Sequence, residues 1–263
     1  YSGGDKPFRP PRHRWSGAVL VQDHTAVTET PFSPSCCRLM TGGHSTEGGA
    51  IDPHRGSEEV WLGPSLESAE SAVVLIHGRG DSARGILALA EEFHASRTAF
   101  LAPQATGYSW YPYSFLSQCE LNEPWLSSSL HRVQAAVTTV SAVMPVDSIV
   151  LMGFSQGACL ALEFAARNPM RYGGVVALSG GLIGPPDTPR SYPGSLEGTP
   201  VFVGCSDVDP YIPIDRVRES ARVMAGLGGE VDERIYPGMG HTINEDEIAR
   251  AIRLLASIPP SKQ

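Results

Sequence analysis

Lysine is nearly absent. Only Lys6 and Lys262 stand among the 20 Lys+Arg, so most of the chain offers no catalytic lysine. Positive charge is short overall: 28 Asp+Glu leave a formal charge of −8 over 263 residues, which disfavours a nucleic-acid partner. Long apolar runs are missing too. The run Ala72-Val73-Val74-Leu75-Ile76 is far below the roughly 20 residues that cross a bilayer, so no integral membrane segment is expected. No basic start followed by an apolar stretch marks a secretion signal. The five cysteines (Cys36, Cys37, Cys119, Cys159 and Cys205) are odd in number and form no CxxC pair. A reduced, cytoplasmic chain is therefore expected rather than a disulfide framework. What remains is ordinary globular material, 41% hydrophobic and 18% charged, long enough for one large domain or one domain with a tail.

The tail is expected at the front. Residues 1–52 carry Pro7, Pro10, Pro11, Pro31 and Pro34 with several glycine pairs, and read as a loosely ordered N-terminal extension. His13, His24, His44 and His54 with Cys36 and Cys37 match no structural zinc spacing, so no metal is expected. Residues 53–263 read as the one large folded domain. Apolar runs at 60–62, 72–77, 98–101, 148–153, 174–178, 201–204 and 231–236 predict strands. Stripes of 3.6-residue period predict helices over 82–95, 123–143, 155–167, 215–225 and 245–257, the last with Asn244 and Glu247 as a capping box. Strands alternating with helices imply an α/β fold, a mostly parallel sheet covered on both faces. Its chemistry belongs in the turns beyond the strand C-termini.

One such turn reads Gly153-Phe154-Ser155-Gln156-Gly157. With 28 glycines in the chain a G-x-S-x-G is weak alone, but here it joins an apolar strand to an amphipathic helix. Glycines flank the serine because a Cβ there would strike the neighbouring strand and helix. A serine hydroxyl needs a base, and the base an orienting acid, in the chain order Ser, acid, His. His241 is the only one of eight histidines after Ser155, and it follows a strand. Asp207 and Asp209 both follow the strand at 201–204, and spacing does not separate them. One of them is expected to brace the loop by accepting backbone N–H bonds. Two donors must hold the developing oxyanion: the N–H of Gln156, at a helix start, and the N–H of Arg79, in the turn His77-Gly78-Arg79-Gly80-Asp81. His77 reads as a structural turn residue.

That turn also fits a dinucleotide fingerprint, Gly78-Arg79-Gly80-Asp81-Ser82-Ala83. The fingerprint needs an acid at the end of the next strand, where Leu101-Ala102-Pro103-Gln104 has none, and no phosphate-binding G-x-x-x-x-G-K-[ST] occurs. No cofactor is expected.

Taken together, Ile76-His77-Gly78-Arg79-Gly80-Asp81, Gly153-Phe154-Ser155-Gln156-Gly157, Asp207-Val208-Asp209-Pro210-Tyr211-Ile212-Pro213 and Gly240-His241 resemble the phospholipase/carboxylesterase family of α/β-hydrolases. The resemblance runs from about Arg55 to the C-terminus. It implies an α/β-hydrolase fold without a large cap domain, and a serine esterase or thioesterase acting on a small-molecule or lipid-like ester. The family's D-x-x-V-P pattern selects Asp209, four residues before Pro213, with Ile212 in place of the usual valine. Cys-based dienelactone hydrolases, a neighbouring branch, fit less well because residue 155 is serine; a non-catalytic binding protein of this fold is the other alternative. Residues 108–116 hold Tyr108, Trp110, Tyr111, Tyr113 and Phe115. Such density fits a pocket wall or a cover for the sheet edge equally well. The family's use of a loop here near the substrate favours the pocket, with Trp110 and Tyr111 as substrate-binding residues. Cys159 and Cys205 read as small core residues.

Overall fold

The run Ser71–Ile76 is apolar at nearly every position, as a strand buried on both faces must be, and it lies inside the sheet. The computed structural model describes residues 51–259. Residues 1–50, nearly all of the expected N-terminal extension with His13, His24, Cys36, Cys37 and His44, lie outside them. Seven strands form one sheet: β1 (Glu59–Leu62), β2 (Ser71–Ile76), β3 (Thr98–Pro103), β4 (Ile149–Phe154), β5 (Gly174–Leu178), β6 (Pro200–Ser206) and β7 (Glu230–Tyr236). Their spatial order is β1-β3-β2-β4-β5-β6-β7, with β1 antiparallel to β3 and every other pair parallel.

Alternation along the strands divides the interior into two cores. Val74, Ile76, Leu151 and Val175 point to the face covered by α2 (Trp125–Ser141), α3 (Gln156–Arg167) and α4 (Ile214–Gly226). Val73, Leu75, Val150 and Met152 point to the opposite face, under α1 (Ala83–Glu92) and α5 (Glu245–Ser257). Helix α2 begins at Trp125 rather than the expected 123, because the residue before Pro124 is pushed out of helical geometry; Glu123 has φ −82° and ψ 148°.

The cap of α5 forms as the spacing predicts. Asn244 Oδ1 accepts from Glu247 N at 2.9 Å, and Glu247 Oε2 accepts from Asn244 N at 2.9 Å. Glu247 is fully buried, and its Oε1 has no partner. Burial pushes its carboxyl up to about 7, against the pull of the Asn244 N–H and with help from Asp246 and Asp209. The cap matters for function because it ends the loop that carries His241.

The packed body begins a little before the resemblance does. His54 is buried, its Nδ1 accepting from Thr106 N at 3.0 Å while Nε2 donates to Trp110 O at 2.9 Å. Burial lowers its pKa. Both ring nitrogens are thus engaged by the protein itself, and no group of three or more metal-binding side chains occurs among the described residues.

Candidate active site

Glycine at 157 lets α3 pack directly on β2. A Cβ there would lie 2.1 Å from Ile76 O, and one at Gly153 would lie 2.4 Å from the backbone of Gly157. Between them Ser155 takes φ 55° and ψ −120°, a strained backbone for a non-glycine residue, which lifts its side chain off the end of β4. Ser155 N donates to Leu178 O at 2.9 Å, tying this elbow to β5.

His241 comes from the loop after β7, and two residues of the β6 turn hold that loop. Asp207 Oδ1 accepts from Gly238 N at 2.7 Å, and Ser206 Oγ accepts from Gly240 N at 3.0 Å. Asp207 is therefore placed as a loop brace. The imidazole stands between Phe154 and Tyr211, with ring centroids at 4.9 and 5.0 Å. Its Nε2 is 2.9 Å from Ser155 Oγ, and its Nδ1 is 2.7 Å from Asp209 Oδ2. A carboxylate only accepts, so Nδ1 carries the proton and Nε2 is left as the acceptor for the serine hydroxyl.

Asp209 is held from several sides. Oδ1 accepts from Tyr211 N at 2.9 Å and Ile212 N at 3.0 Å, and the Cys205 thiol lies 3.7 Å from Oδ2. Burial alone would raise its pKa. The His241 hydrogen bond and charge, with the two backbone N–H groups, outweigh burial and bring it below the usual aspartate value. The carboxylate stays ionised in the state that orients the imidazole.

The two residues expected to hold an oxyanion flank Ser155. Gln156 opens α3, where a first-turn N–H has no intrahelical acceptor. Arg79 lies in the turn after β2, where Gly78 packs 3.4 Å, measured from a notional Cβ, from Ser155 Cβ. His77 is buried there. Its Nδ1 donates to Gly78 O at 2.7 Å, and Nε2 accepts from Ala105 N at 3.1 Å. Burial drives its pKa down to about 4, so it is a neutral prop for the turn.

Trp110 and Tyr111 fall elsewhere than expected. Their side chains are 0% and 1% exposed, so neither ring presents a surface to a substrate. Trp110 packs against His54 and His77 and donates from Nε1 to His77 O at 2.8 Å; Tyr111 points inward towards Cys159. The exposed aromatics of this segment are Tyr108 and Tyr113. Aromatic density marked the segment, but it does not tell which rings point inward. The side chains of Arg79 and Gln156, the Ser206 brace and Tyr211 beside the imidazole also belong to the site. Only Tyr211 had a local signal, its place two residues after Asp209.

A family profile described as Phospholipase/Carboxylesterase matches residues 63–258. The chain belongs to that family. It is accordingly an esterase of the serine-hydrolase class on an α/β-hydrolase fold. A phospholipase/carboxylesterase from Dyadobacter fermentans superposes with a TM-score of 0.75 at 38% identity, over 80% of this chain and 100% of that one. Esterase PE8 superposes with a TM-score of 0.65 at 26% identity, over 77% and 99% of the two chains. Acyl-protein thioesterase 1 of Debaryomyces hansenii is 25% identical over 222 residues, 76% of this chain and 96% of the relative. Among the described residues no helix is long and apolar enough to cross a membrane.

Proposed function

We propose that this esterase cleaves acyl esters and thioesters of small or lipid-like alcohols and thiols through an acyl-enzyme on Ser155. The observation that carries the reading is one unbroken line of hydrogen bonds, Ser155 Oγ to His241 Nε2 at 2.9 Å and His241 Nδ1 to Asp209 Oδ2 at 2.7 Å. His241 takes the serine proton as Oγ attacks the carbonyl carbon, then gives it to the departing alcohol or thiol. Asp209 holds the tautomer and stabilises the imidazolium. The N–H groups of Arg79 and Gln156 receive the tetrahedral oxyanion, each such donor being worth roughly 3–4 kcal/mol in the transition state. Water, deprotonated by the same imidazole, frees the acid. The residues supply nucleophile, base and electrostatic stabilisation by themselves. Trp110 and Tyr111, as buried as they are, act as supports of the oxyanion turn rather than as substrate contacts.

The test is a series of p-nitrophenyl esters and acyl thioesters of increasing chain length, with the wild type and Ser155→Ala. Turnover that depends on acyl length and falls at least about 10⁴-fold in the variant supports the reading. Undiminished turnover in Ser155→Ala, or no turnover of any ester by the wild type, overturns it.

A further inference from the structure

Resting on that reading, we infer that the Arg79 side chain is a positioning group: with Gln156 it clamps residues 108–113 into a strap that sets the spacing of the two oxyanion donors. The two N–H groups belong to different turns, after the paired strands β2 and β4, whose register and the close packing of Gly157 on Ile76 O set the turns side by side. Above the sheet edge the strap adds a side-chain tie between them. Arg79 Nη1 donates to Pro112 O, and Nη2 to Tyr111 O and Tyr113 O, each at 2.8 Å. From the other turn, Gln156 Oε1 accepts from Trp110 N and Nε2 donates to Tyr111 O, both at 2.9 Å. The Tyr111 carbonyl is the shared point, bonded by both side chains.

Further contacts close the bracket on the Arg79 side. Trp110 Nε1 donates to His77 O at 2.8 Å, and Gly80 N donates to Tyr108 O at 2.7 Å. Below, Ser129 Oγ of α2 and His54 Nε2 donate to Trp110 O at 2.6 and 2.9 Å. No carboxylate pairs with Arg79 among the described residues, so its charge is spent on three neutral carbonyls of one short segment. A planar fork is suited to several carbonyls converging from one side, which a single ammonium point charge cannot match. A donor pair held this way is preorganised, and preorganisation acts on the transition state rather than on the bound substrate.

The experiment compares wild type, Arg79→Met, Arg79→Lys and Gln156→Met, reading kcat, KM and the Ki of an alkyl boronic acid, whose tetrahedral serine adduct places an oxygen where the oxyanion forms. Both methionine variants keep every backbone N–H. Arg79→Met is expected to lower kcat about 10- to 100-fold with KM within about twofold, and to raise the boronate Ki by the factor lost in kcat/KM, because misplacing a donor by a fraction of an ångström weakens only the transition state. Arg79→Lys falls between, and Gln156→Met, cutting the strap at its other end, repeats the signature and carries the test if Arg79→Met fails to fold. An unchanged kcat and Ki in variants whose only defect is a lower Tm overturns the inference, as does a rise in KM alone. Fluorophosphonate labelling of wild-type Ser155 separates the two levels. Labelling with intact turnover and no response to the strap variants defeats this inference only, whereas no labelling defeats the hydrolase mechanism and the strap's role together.

Discussion

Replacing Asp209 by asparagine is a severe test because the structure dictates which way the amide must face. Oδ1 receives two backbone N–H groups, from Tyr211 and Ile212, and only an oxygen can accept them. The amide nitrogen therefore lands where Oδ2 stood, 2.7 Å from His241 Nδ1. As a donor it forces Nδ1 to be the acceptor, and the ring proton moves to Nε2. An Nε2–H cannot accept from Ser155 Oγ, so the base is lost while every atom keeps its place. A wrong tautomer of this kind costs about 10⁴ in kcat, which at about 1.4 kcal/mol per decade is roughly 5.5 kcal/mol of transition-state stabilisation. Asp207→Asn is the control. Its amide oxygen still accepts from Gly238 N, so kcat is expected to change by less than about threefold. Steady-state kcat with a p-nitrophenyl ester, alongside Tm to show that both variants fold, makes the comparison. A loss under tenfold in Asp209→Asn, or a larger loss in Asp207→Asn, refutes the assignment of the acid.

Three more outcomes follow from the packing. Gly157→Ala puts a Cβ within 2.1 Å of Ile76 O and 2.6 Å of His77 O, both backbone, so α3 must shift; kcat/KM is expected to fall at least about 100-fold with a drop in Tm, and near-normal kinetics would contradict the elbow's close packing. Trp110→Ala removes a fully buried ring and its bond to His77 O and is expected to cost about 3–5 kcal/mol in denaturant melts, while the ratio of kcat/KM between short and long acyl esters stays constant. A changed ratio would return Trp110 to the substrate wall. For Glu247, with its folded pKa raised from 4.5 to about 7, the folded state retains a proton that the unfolded chain releases. The wild type thus loses stability as pH rises from about 4.5 to 7 and stays at the lower level above it. Glu247→Gln does not ionise, so its Tm is expected to gain on the wild type between pH 4.5 and 8, by the equivalent of about 3 kcal/mol at most. A difference independent of pH would show that the buried carboxyl is not held protonated.

The periodicities read the sheet and helices closely because burial on both faces leaves a plain mark: Ser71–Ile76 and Ile149–Phe154 are apolar at almost every position, and α3 carries its stripe. The G-x-S-x-G turn was legible for a steric reason, since only glycine fits where Gly157 meets Ile76 O. The acid was not legible from spacing. Asp207 and Asp209 are two residues apart in one turn, and what separates them is which carboxylate faces His241, a matter of tertiary geometry; the family's proline spacing selected Asp209. Trp110 and Tyr111 marked the right segment but suggested the wrong face of it, because a loop has no periodicity from which to read inside and outside. The strap was invisible for a related reason. Arg79 and Gln156 bond to backbone carbonyls and an N–H some 30 to 46 positions away, and any residue would present those groups.

In the proposed mechanism Ser155 Oγ is the atom that becomes acylated, and peptide mass mapping of the enzyme trapped at the burst of a slowly deacylated p-nitrophenyl ester reads it directly. One acyl group per chain, on the peptide holding Gly153-Phe154-Ser155-Gln156-Gly157 and absent from Ser155→Ala, is the expected result. A burst with the acyl group on another residue, or turnover with no covalent adduct, would contradict it.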